Sequence, residues 1–90
     1  MFLIDLNNRK ARKAYVQLDD KHKIKVDQLF ETLETNPVPF KEYDVLKVKG
    51  VEYTYRIRIG KYRIEYYLHS EFKKIYILKI ERRDETTYKD

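Results

Sequence analysis

The segment YRIRIGKYRIEYY, from Tyr55 to Tyr67, alternates between polar and apolar positions on both sides of a Gly60-Lys61 pair. Alternation of this kind is typical of two strands that each bury one face. Glycine at the first position of a two-residue loop favours a type II′ turn, which joins the strands as a β-hairpin. The turn fixes the predicted pairs as Ile59–Tyr62, Arg58–Arg63, Ile57–Ile64, Arg56–Glu65 and Tyr55–Tyr66.

This register sorts the side chains of the hairpin onto two faces. The predicted buried face, which packs under the helices, carries Tyr55, Ile57, Ile59, Tyr62, Ile64 and Tyr66. The predicted polar face carries Arg56, Arg58, Arg63, Glu65 and Tyr67. Like charges directly opposite each other destabilise a sheet by a few tenths to about 1 kcal/mol. Glu65 can neutralise Arg56, whereas we expect no local carboxylate to neutralise the Arg58–Arg63 pair.

Two apolar stripes with helical spacing precede the hairpin. They comprise Ala11, Ala14, Tyr15 and Leu18, then Val26, Leu29, Phe30 and Leu33, with candidate N-caps at Asn7 or Asn8 and at Asp19 or Asp20. Residues 2–6 and 74–80 predict further strands, and residues 36–52 predict irregular, partly extended structure. The expected fold class is α+β in a single domain, 1–90. Its order is β-α-α-β-β-β, an antiparallel twisted sheet with a helical hairpin packed on one face.

The last predicted strand leads into two more arginines. The segment KIYILKI (74–80) is apolar at Ile75 and Ile77 on one face and at Tyr76, Leu78 and Ile80 on the other. A strand that is apolar on both faces is typical of the interior of a sheet. If it pairs with residues 62–68, Arg82 and Arg83 follow beside Arg63, and we expect both to join the arginine cluster.

Converging arginines predict an anion site. A guanidinium group offers a planar fork of donors that fits a phosphate, and its charge does not depend on pH. The alternative is a solvated sheet face that carries basic residues for solubility. The convergence of several guanidinium groups favours the anion site, and we interpret the anion as an RNA phosphate.

Composition limits the classes of function. The 90 residues are 42% apolar and 39% charged, and the net charge is +5. Residues 41–90 carry most of the excess, with 13 basic and 9 acidic side chains, which suits a nucleic-acid partner. The chain has no cysteine, and we expect neither a metal site nor a cofactor, with His22 and His69 facing solvent. Neither a membrane span nor a signal peptide is indicated, so we expect a cytoplasmic protein.

Several of these segments together resemble a known family. YRIRI (55–59), GKYRI (60–64), the preceding LKVKG (46–50), an apolar strand ending in Arg82-Arg83 and the late Tyr88 resemble the RelE/ParE toxin superfamily, its RelE branch in particular. The resemblance covers nearly the whole chain and is strongest over residues 46–66. It implies a RelE-like fold and a ribosome-dependent mRNA interferase that cleaves the codon in the A site. It also implies a cognate antitoxin as partner.

The resemblance implies roles for individual residues. By position, the catalytic residues would be Arg56, Arg58, Arg63, Arg82 and Tyr88, although Arg83 competes with Arg82. Further basic residues would bind RNA: Lys47, Lys49, Lys61 and Arg83. Cleavage by the 2′-hydroxyl needs that hydroxyl deprotonated, the phosphate stabilised and the 5′-oxygen protonated, and no metal is required.

The sequence departs from the family at two basic positions. Members of the RelE branch carry lysines where this chain has Arg56 and Arg58, and a lysine crowded by cations can lose its proton near neutral pH. Arginine does not. The general base therefore stays open among Tyr55, Tyr88, Glu65, Lys47 and Lys49, or the 2′-hydroxyl is only oriented and the ribosome assists.

Two alternatives to the mRNA interferase remain. One is a ParE-like inhibitor of DNA gyrase without nuclease activity, and the other is an inactive member that only binds its antitoxin or RNA. The set of Arg63, Arg82 and Tyr88 favours the nuclease, because the ParE branch usually lacks that full set.

Overall fold

The computed structural model describes residues 1–83 as two helices packed against one five-stranded sheet. The elements are β1 (Leu3–Asp5), α1 (Arg9–Val16), α2 (Asp20–Thr35), β2 (Asp44–Lys47), β3 (Thr54–Ile59), β4 (Tyr62–His69) and β5 (Lys74–Arg82). The α+β class, the helix pair and the four expected strands are confirmed. Strand β2 is an addition to the predicted order, and it lies within residues 36–52, which were predicted to be irregular and partly extended.

The strands lie in the order β1-β5-β4-β3-β2. The sheet is mixed rather than wholly antiparallel, because β1 runs parallel to β5 while the other neighbours are antiparallel. No turn fixes the direction of β1 against β5, since both helices and the other three strands separate them along the chain. Strand β5 lies inside the sheet, as its two apolar faces indicate.

Both helices begin at side-chain caps among the predicted positions. Asn8 Oδ1 accepts the backbone N–H of Ala11 at 3.0 Å, and Asp19 Oδ1 accepts that of His22 at 3.3 Å. The apolar stripes of the helices then bury Ala11, Leu18, Val26, Leu29 and Leu33 against one face of the sheet. That face contributes Ile57, Ile59, Ile64, Tyr66, Leu68, Ile75, Ile77 and Ile80. We call the opposite face, which the helices do not cover, the open face.

The predicted hairpin register is confirmed at all five pairs. Gly60 has φ 55° and Lys61 does not have a positive φ, as a type II′ turn requires. The open face therefore carries Arg56, Arg58, Arg63, Glu65 and Tyr67, as expected.

A β-bulge in β5 changes the expected alternation of that strand. Glu65 pairs with Lys79 and Tyr66 pairs with Ile77, so Leu78 has no partner across β4. The extra residue returns Ile80 to the buried face beside Ile77, and Ile80 is 6% exposed. The prediction that Ile80 shares a face with Tyr76 is therefore wrong, because strict alternation does not hold across a bulge.

No helix among residues 1–83 has the length and apolar character needed to cross a membrane. Tyr88 and the rest of residues 84–90 lie outside the described residues.

Candidate functional site

Four arginines converge on one pocket in the open face. The pocket has a volume of about 230 Å³ and is lined by Arg56, Arg58, Arg63, Arg83, Asp44 and Leu46. We call it the arginine pocket. Its lining residues come from β2, β3, β4 and the residue that follows β5. The shape of the pocket therefore depends on how these strands pair.

The sheet register sets the neighbours of each arginine. Arg58 pairs with Arg63 on one side and with Asp44 on the other, because β3 lies between β4 and β2. Arg56 likewise pairs with Glu65 and Leu46. Three neighbouring strands therefore bring three arginines and two carboxylates into the same small area.

Local carboxylates do reach the arginine pair, contrary to the expectation. Asp44 Oδ2 lies 3.2 Å from Arg58 Nε, and Glu81 Oε1 lies 3.9 Å from Arg63 Nη2. Glu65 bonds to Arg56 at 3.4 Å, as expected. The expectation was wrong because Asp44 belongs to the strand that was not predicted, and because Glu81 comes onto the open face only through the bulge.

Arg63 keeps its donors available. Its distance of 3.9 Å to Glu81 is too long for a hydrogen bond. Its Nε is buried and has no hydrogen-bond partner among residues 1–83. The Arg63 side chain as a whole is 36% exposed, so its terminal nitrogens are open to an acceptor.

Of Arg82 and Arg83, the structure places Arg83 in the arginine cluster. Arg82 pairs with Tyr62, which belongs to the helix-covered face, and residues opposite each other in a ladder share a face. Arg83, the next residue, lines the arginine pocket. The expectation that both arginines join the cluster is wrong, because neighbouring residues of a strand lie on opposite faces. The one-residue shift at Leu78 decides that Arg83, not Arg82, lies on the open face.

The predicted RNA-binding lysines are not brought into the arginine pocket. Lys47 and Lys49 line a separate hollow formed by residues 47–52. Lys61 is exposed in the hairpin turn, where its carbonyl oxygen accepts the backbone N–H of Arg83 at 2.5 Å.

The candidate general bases are also dispersed. Tyr55 lies on the helix-covered face, where its ring packs 5.7 Å from that of Tyr66, and Lys47 and Lys49 lie in the separate hollow. Glu65 is bonded to Arg56. Asp44, which sequence reasoning missed, lines the arginine pocket itself. The signal that could have found it is its place within residues 36–52, which predict partly extended structure, since a short strand there pairs Asp44 with Arg58.

His22 lies beneath the β3–β4 hairpin, so the expectation that it faces solvent is wrong. Its side chain is 16% exposed, its Nδ1 lies 2.6 Å from Asp19 Oδ1, and its ring packs edge-on at 4.9 Å against Tyr62. The hydrogen bond to His22 lowers the pKa of the Asp19 carboxyl. A Cβ on Gly60 would lie 3.2 Å from His22 Nε2, so His22 supports the hairpin turn from the helix side.

Comparison with known proteins gives a consistent family. A family model described as the ParE toxin of the type II toxin–antitoxin system parDE matches residues 5–87. A protein of Methanocaldococcus jannaschii named as toxin RelE1 is 43% identical over 60 residues, which is 67% of each chain.

Solved structures agree with these matches. The archaeal RelE–RelB complex from Pyrococcus horikoshii contains a chain with TM-score 0.81 and 31% identity, covering 91% of this chain and 94% of that one. The intact RelBE toxin–antitoxin complex from E. coli gives a TM-score of 0.77 at 15% identity, covering 93% and 99%. The second likeness concerns the fold alone.

Proposed function

Because the chain belongs to the RelE/ParE superfamily of toxins from type II toxin–antitoxin systems, we propose that it is an endoribonuclease that cleaves mRNA in the ribosomal A site. The observation that carries the proposal is the arginine pocket, where four guanidinium groups converge and the Arg63 side chain stays 36% exposed. A phosphate oxygen in the pocket can accept hydrogen bonds from these groups, and its negative charge is opposite to theirs.

The proposed reaction is a metal-independent attack of a ribose 2′-hydroxyl on the adjacent phosphorus. The 2′-oxygen forms a bond to phosphorus, its proton passes to a base, and the bond from phosphorus to the 5′-oxygen breaks. The leaving 5′-oxygen takes up a proton. Negative charge grows on the phosphoryl oxygens in the transition state, so fixed cations that are already in place accelerate the step.

The geometry suggests how the arginines share this work. Arg63, on the central strand β4, binds a non-bridging phosphate oxygen. Arg56 and Arg58 hold the phosphate and orient the codon as fixed positive charges. Arg83 rather than Arg82 stabilises the leaving 5′-oxygen, since Arg83 lines the arginine pocket and Arg82 pairs with Tyr62. A catalytic role for Tyr88 stays a prediction.

Asp44 is the proposed proton acceptor. Among residues 1–83, the arginine pocket is lined by four arginines and Leu46 besides Asp44, and none of these five accepts a proton near neutral pH. The carboxylate is 3.2 Å from Arg58 and 64% exposed, so a substrate hydroxyl can reach it. General-base catalysis of this kind contributes about 10²- to 10⁴-fold in rate.

The proposed partners are a cognate antitoxin, the ribosome and mRNA. Related chains have been solved in toxin–antitoxin complexes, which supports the antitoxin. The arginine pocket, at about 230 Å³, is too small to hold a whole codon. This size supports a toxin whose substrate is positioned by the ribosome.

The test is in vitro translation with mapping of mRNA ends on programmed ribosomes. Wild type should cut the A-site codon, and Arg63→Ala should lower the single-turnover rate by about one to two decades, the equivalent of roughly 1.5–3 kcal/mol for a charged hydrogen bond. Arg63→Lys, which keeps the charge but not the fork, should fall between them. Intact mRNA with soluble wild-type protein would overturn the proposal.

A second candidate is inhibition of DNA gyrase, which the ParE description of the matching family model favours. Gyrase supercoiling assays with the same protein separate the two. Loss of supercoiling with intact ribosome-bound mRNA would assign the chain to the ParE branch.

A further inference from the structure

A second and larger cavity shares the open face with the arginine pocket. Its volume is about 620 Å³, and its lining includes Tyr67, Tyr76, Leu78, Val51, Asp5 and Asn7. We call it the tyrosine groove. It runs from the end of β1 across β5 and β4 to β3 and the loop before it. Neither the core nor the proposed reaction uses it.

Two tyrosines on adjacent strands form the groove's aromatic floor. Tyr67 of β4 pairs with Tyr76 of β5, and their ring centroids lie 6.3 Å apart with 33° between the planes. Both side chains are half-buried, on the face away from the core. The ring of His69 lies within 6.0 Å of Tyr67 and stacks on exposed Phe72 at 4.2 Å, so the aromatic surface continues beyond the groove.

The groove and the arginine pocket lie along the same face of β4, with Glu65 between them. Arg63, Glu65 and Tyr67 alternate on the open face, so Tyr67 lies four residues from Arg63, or roughly 13 Å. At about 3.4 Å per stacked nucleotide, that span corresponds to at most about four nucleotides. One RNA segment of this length can therefore place a phosphate at Arg63 and a base a few nucleotides away on Tyr67.

We propose that the tyrosine groove stacks bases of the single-stranded RNA whose phosphate enters the arginine pocket. Aromatic side chains on an open antiparallel sheet, combined with cations, are the chemistry by which proteins hold unpaired bases. The groove adds hydrogen-bonding groups for base edges, from Asp5 and Asn7, at its rim. This inference rests on the proposed function, since both sites then read one RNA strand.

Charge favours RNA over a protein segment as the occupant. The ammonium group of Lys74 lies 6.0 Å from the ring of Tyr76, and the arginine pocket lies farther along the same face of β4. The groove's lining also includes the carboxylate of Asp5, which accepts the backbone N–H of Asn7. RNA bound along the groove would bring its phosphates towards Lys74 at one end and towards the arginine pocket at the other. A purely apolar peptide would leave these cations without partners.

The first experiment measures single-turnover cleavage on programmed ribosomes. The double variant Tyr67→Leu/Tyr76→Leu keeps apolar volume but removes the stacking rings, and Tyr67→Phe/Tyr76→Phe keeps the rings. We expect the leucine variant to raise KM about 5- to 100-fold, with the phenylalanine variant close to wild type. Phe40→Leu, at an exposed aromatic residue that lines neither cavity, is the matched control.

The second experiment reports stacking directly. The chain has no tryptophan, so Tyr67→Trp introduces a single tryptophan whose emission can be excited apart from that of the tyrosines, and Phe40→Trp provides its control. A six-nucleotide 2′-O-methyl RNA, which cannot be cut, should quench the emission of the Tyr67→Trp protein and not that of the control.

The outcomes separate this inference from the proposed function. Wild-type cleavage combined with an unchanged KM in the leucine variant overturns the tyrosine groove and leaves the proposed function standing. Absence of wild-type cleavage overturns both. A third outcome assigns the groove to the protein partner and overturns the inference. In that outcome the antitoxin quenches the emission, RNA does not, and the leucine variant keeps the wild-type KM.

Discussion

The backbone N–H of Arg83 donates to the carbonyl oxygen of Lys61 at 2.5 Å, which ties the end of β5 to the turn of the β3–β4 hairpin. One residue earlier, Arg82 pairs with Tyr62 on the helix-covered face. Two neighbouring arginines thus occupy opposite faces of the sheet, and the second of them lines the arginine pocket.

Arg83→Ala is expected to lower the rate of mRNA cleavage by about one to two decades, because it removes a charged donor from the pocket. Arg82→Ala is the matched control, since it removes the same charge one residue away, and it should change the rate less than about threefold. Single-turnover cleavage on programmed ribosomes measures both. If Arg82→Ala slowed cleavage more than Arg83→Ala, the strand register would not give the faces that these two arginines occupy on the ribosome.

Arg56 and Arg58 are expected to act as fixed charges rather than as proton carriers. Changing both to lysine should therefore retain substantial cleavage, whereas changing both to glutamine should cost far more, because it removes two positive charges from the phosphate site. A lysine among cations can titrate near neutrality. Across pH 6 to 9, the double-lysine variant should gain a pH-dependent limb that wild type lacks. Wild-type speed in the double-glutamine variant would exclude both residues from the site.

Asp44→Asn separates a proton acceptor from a simple counter-ion. If Asp44 takes the proton of the 2′-hydroxyl, kcat should fall about 10²- to 10⁴-fold. KM should stay the same or decrease, because the change removes a negative charge beside Arg58. Steady-state kinetics on programmed ribosomes measures the two parameters. An unchanged kcat with a lower KM would leave Asp44 with the ion pair alone.

The hairpin was predictable because one local feature determines it. Glycine at position 60 accepts the φ of 55°, the two-residue loop then fixes the register, and that register places Arg58 opposite Arg63. The helix caps at Asn8 and Asp19 were predictable for the same reason, since a side chain bonds to an N–H only three residues away.

The parts of the site that could not be predicted depend on contacts distant in sequence. The bulge at Leu78 leaves no local signal in an apolar segment, yet it decides which of Arg82 and Arg83 meets Arg63. Strand β2 is only four residues long, and pairing with β3 rather than its own pattern makes it a strand. Asp44 reaches Arg58 only through that pairing.

Two tyrosines make the stability of the fold sensitive to alkaline pH. Tyr66 is fully buried and its hydroxyl donates to the carbonyl oxygen of Pro37 at 2.6 Å. Burial, with a smaller effect of Tyr55, raises the pKa of Tyr66 well above its ordinary value. The Tyr15 hydroxyl donates to Asp27, and this hydrogen bond raises the pKa of Tyr15 to about 12.

In the unfolded chain both phenols lose their protons near pH 10. Above that pH the unfolded state releases protons that the folded state still holds, so the free energy of unfolding should fall as pH rises. The stabilisation is fully present below about pH 10 and is lost towards pH 12 and above. Urea titrations at several pH values between 8 and 11.5 measure it through the midpoint of unfolding.

Tyr66→Phe tests the origin of this sensitivity. At pH 7 the variant should lose about 0.5–1.5 kcal/mol of stability, because the hydrogen bond to Pro37 is removed. Above pH 10 its stability should decline less steeply than that of wild type, because one of the two tyrosines with a raised pKa is gone. The stability curves of the variant and of wild type should therefore converge. Tyr53→Phe, at a tyrosine that is 53% exposed, is the control and should follow wild type throughout. Parallel curves for Tyr66→Phe and wild type would place the alkaline sensitivity elsewhere in the chain.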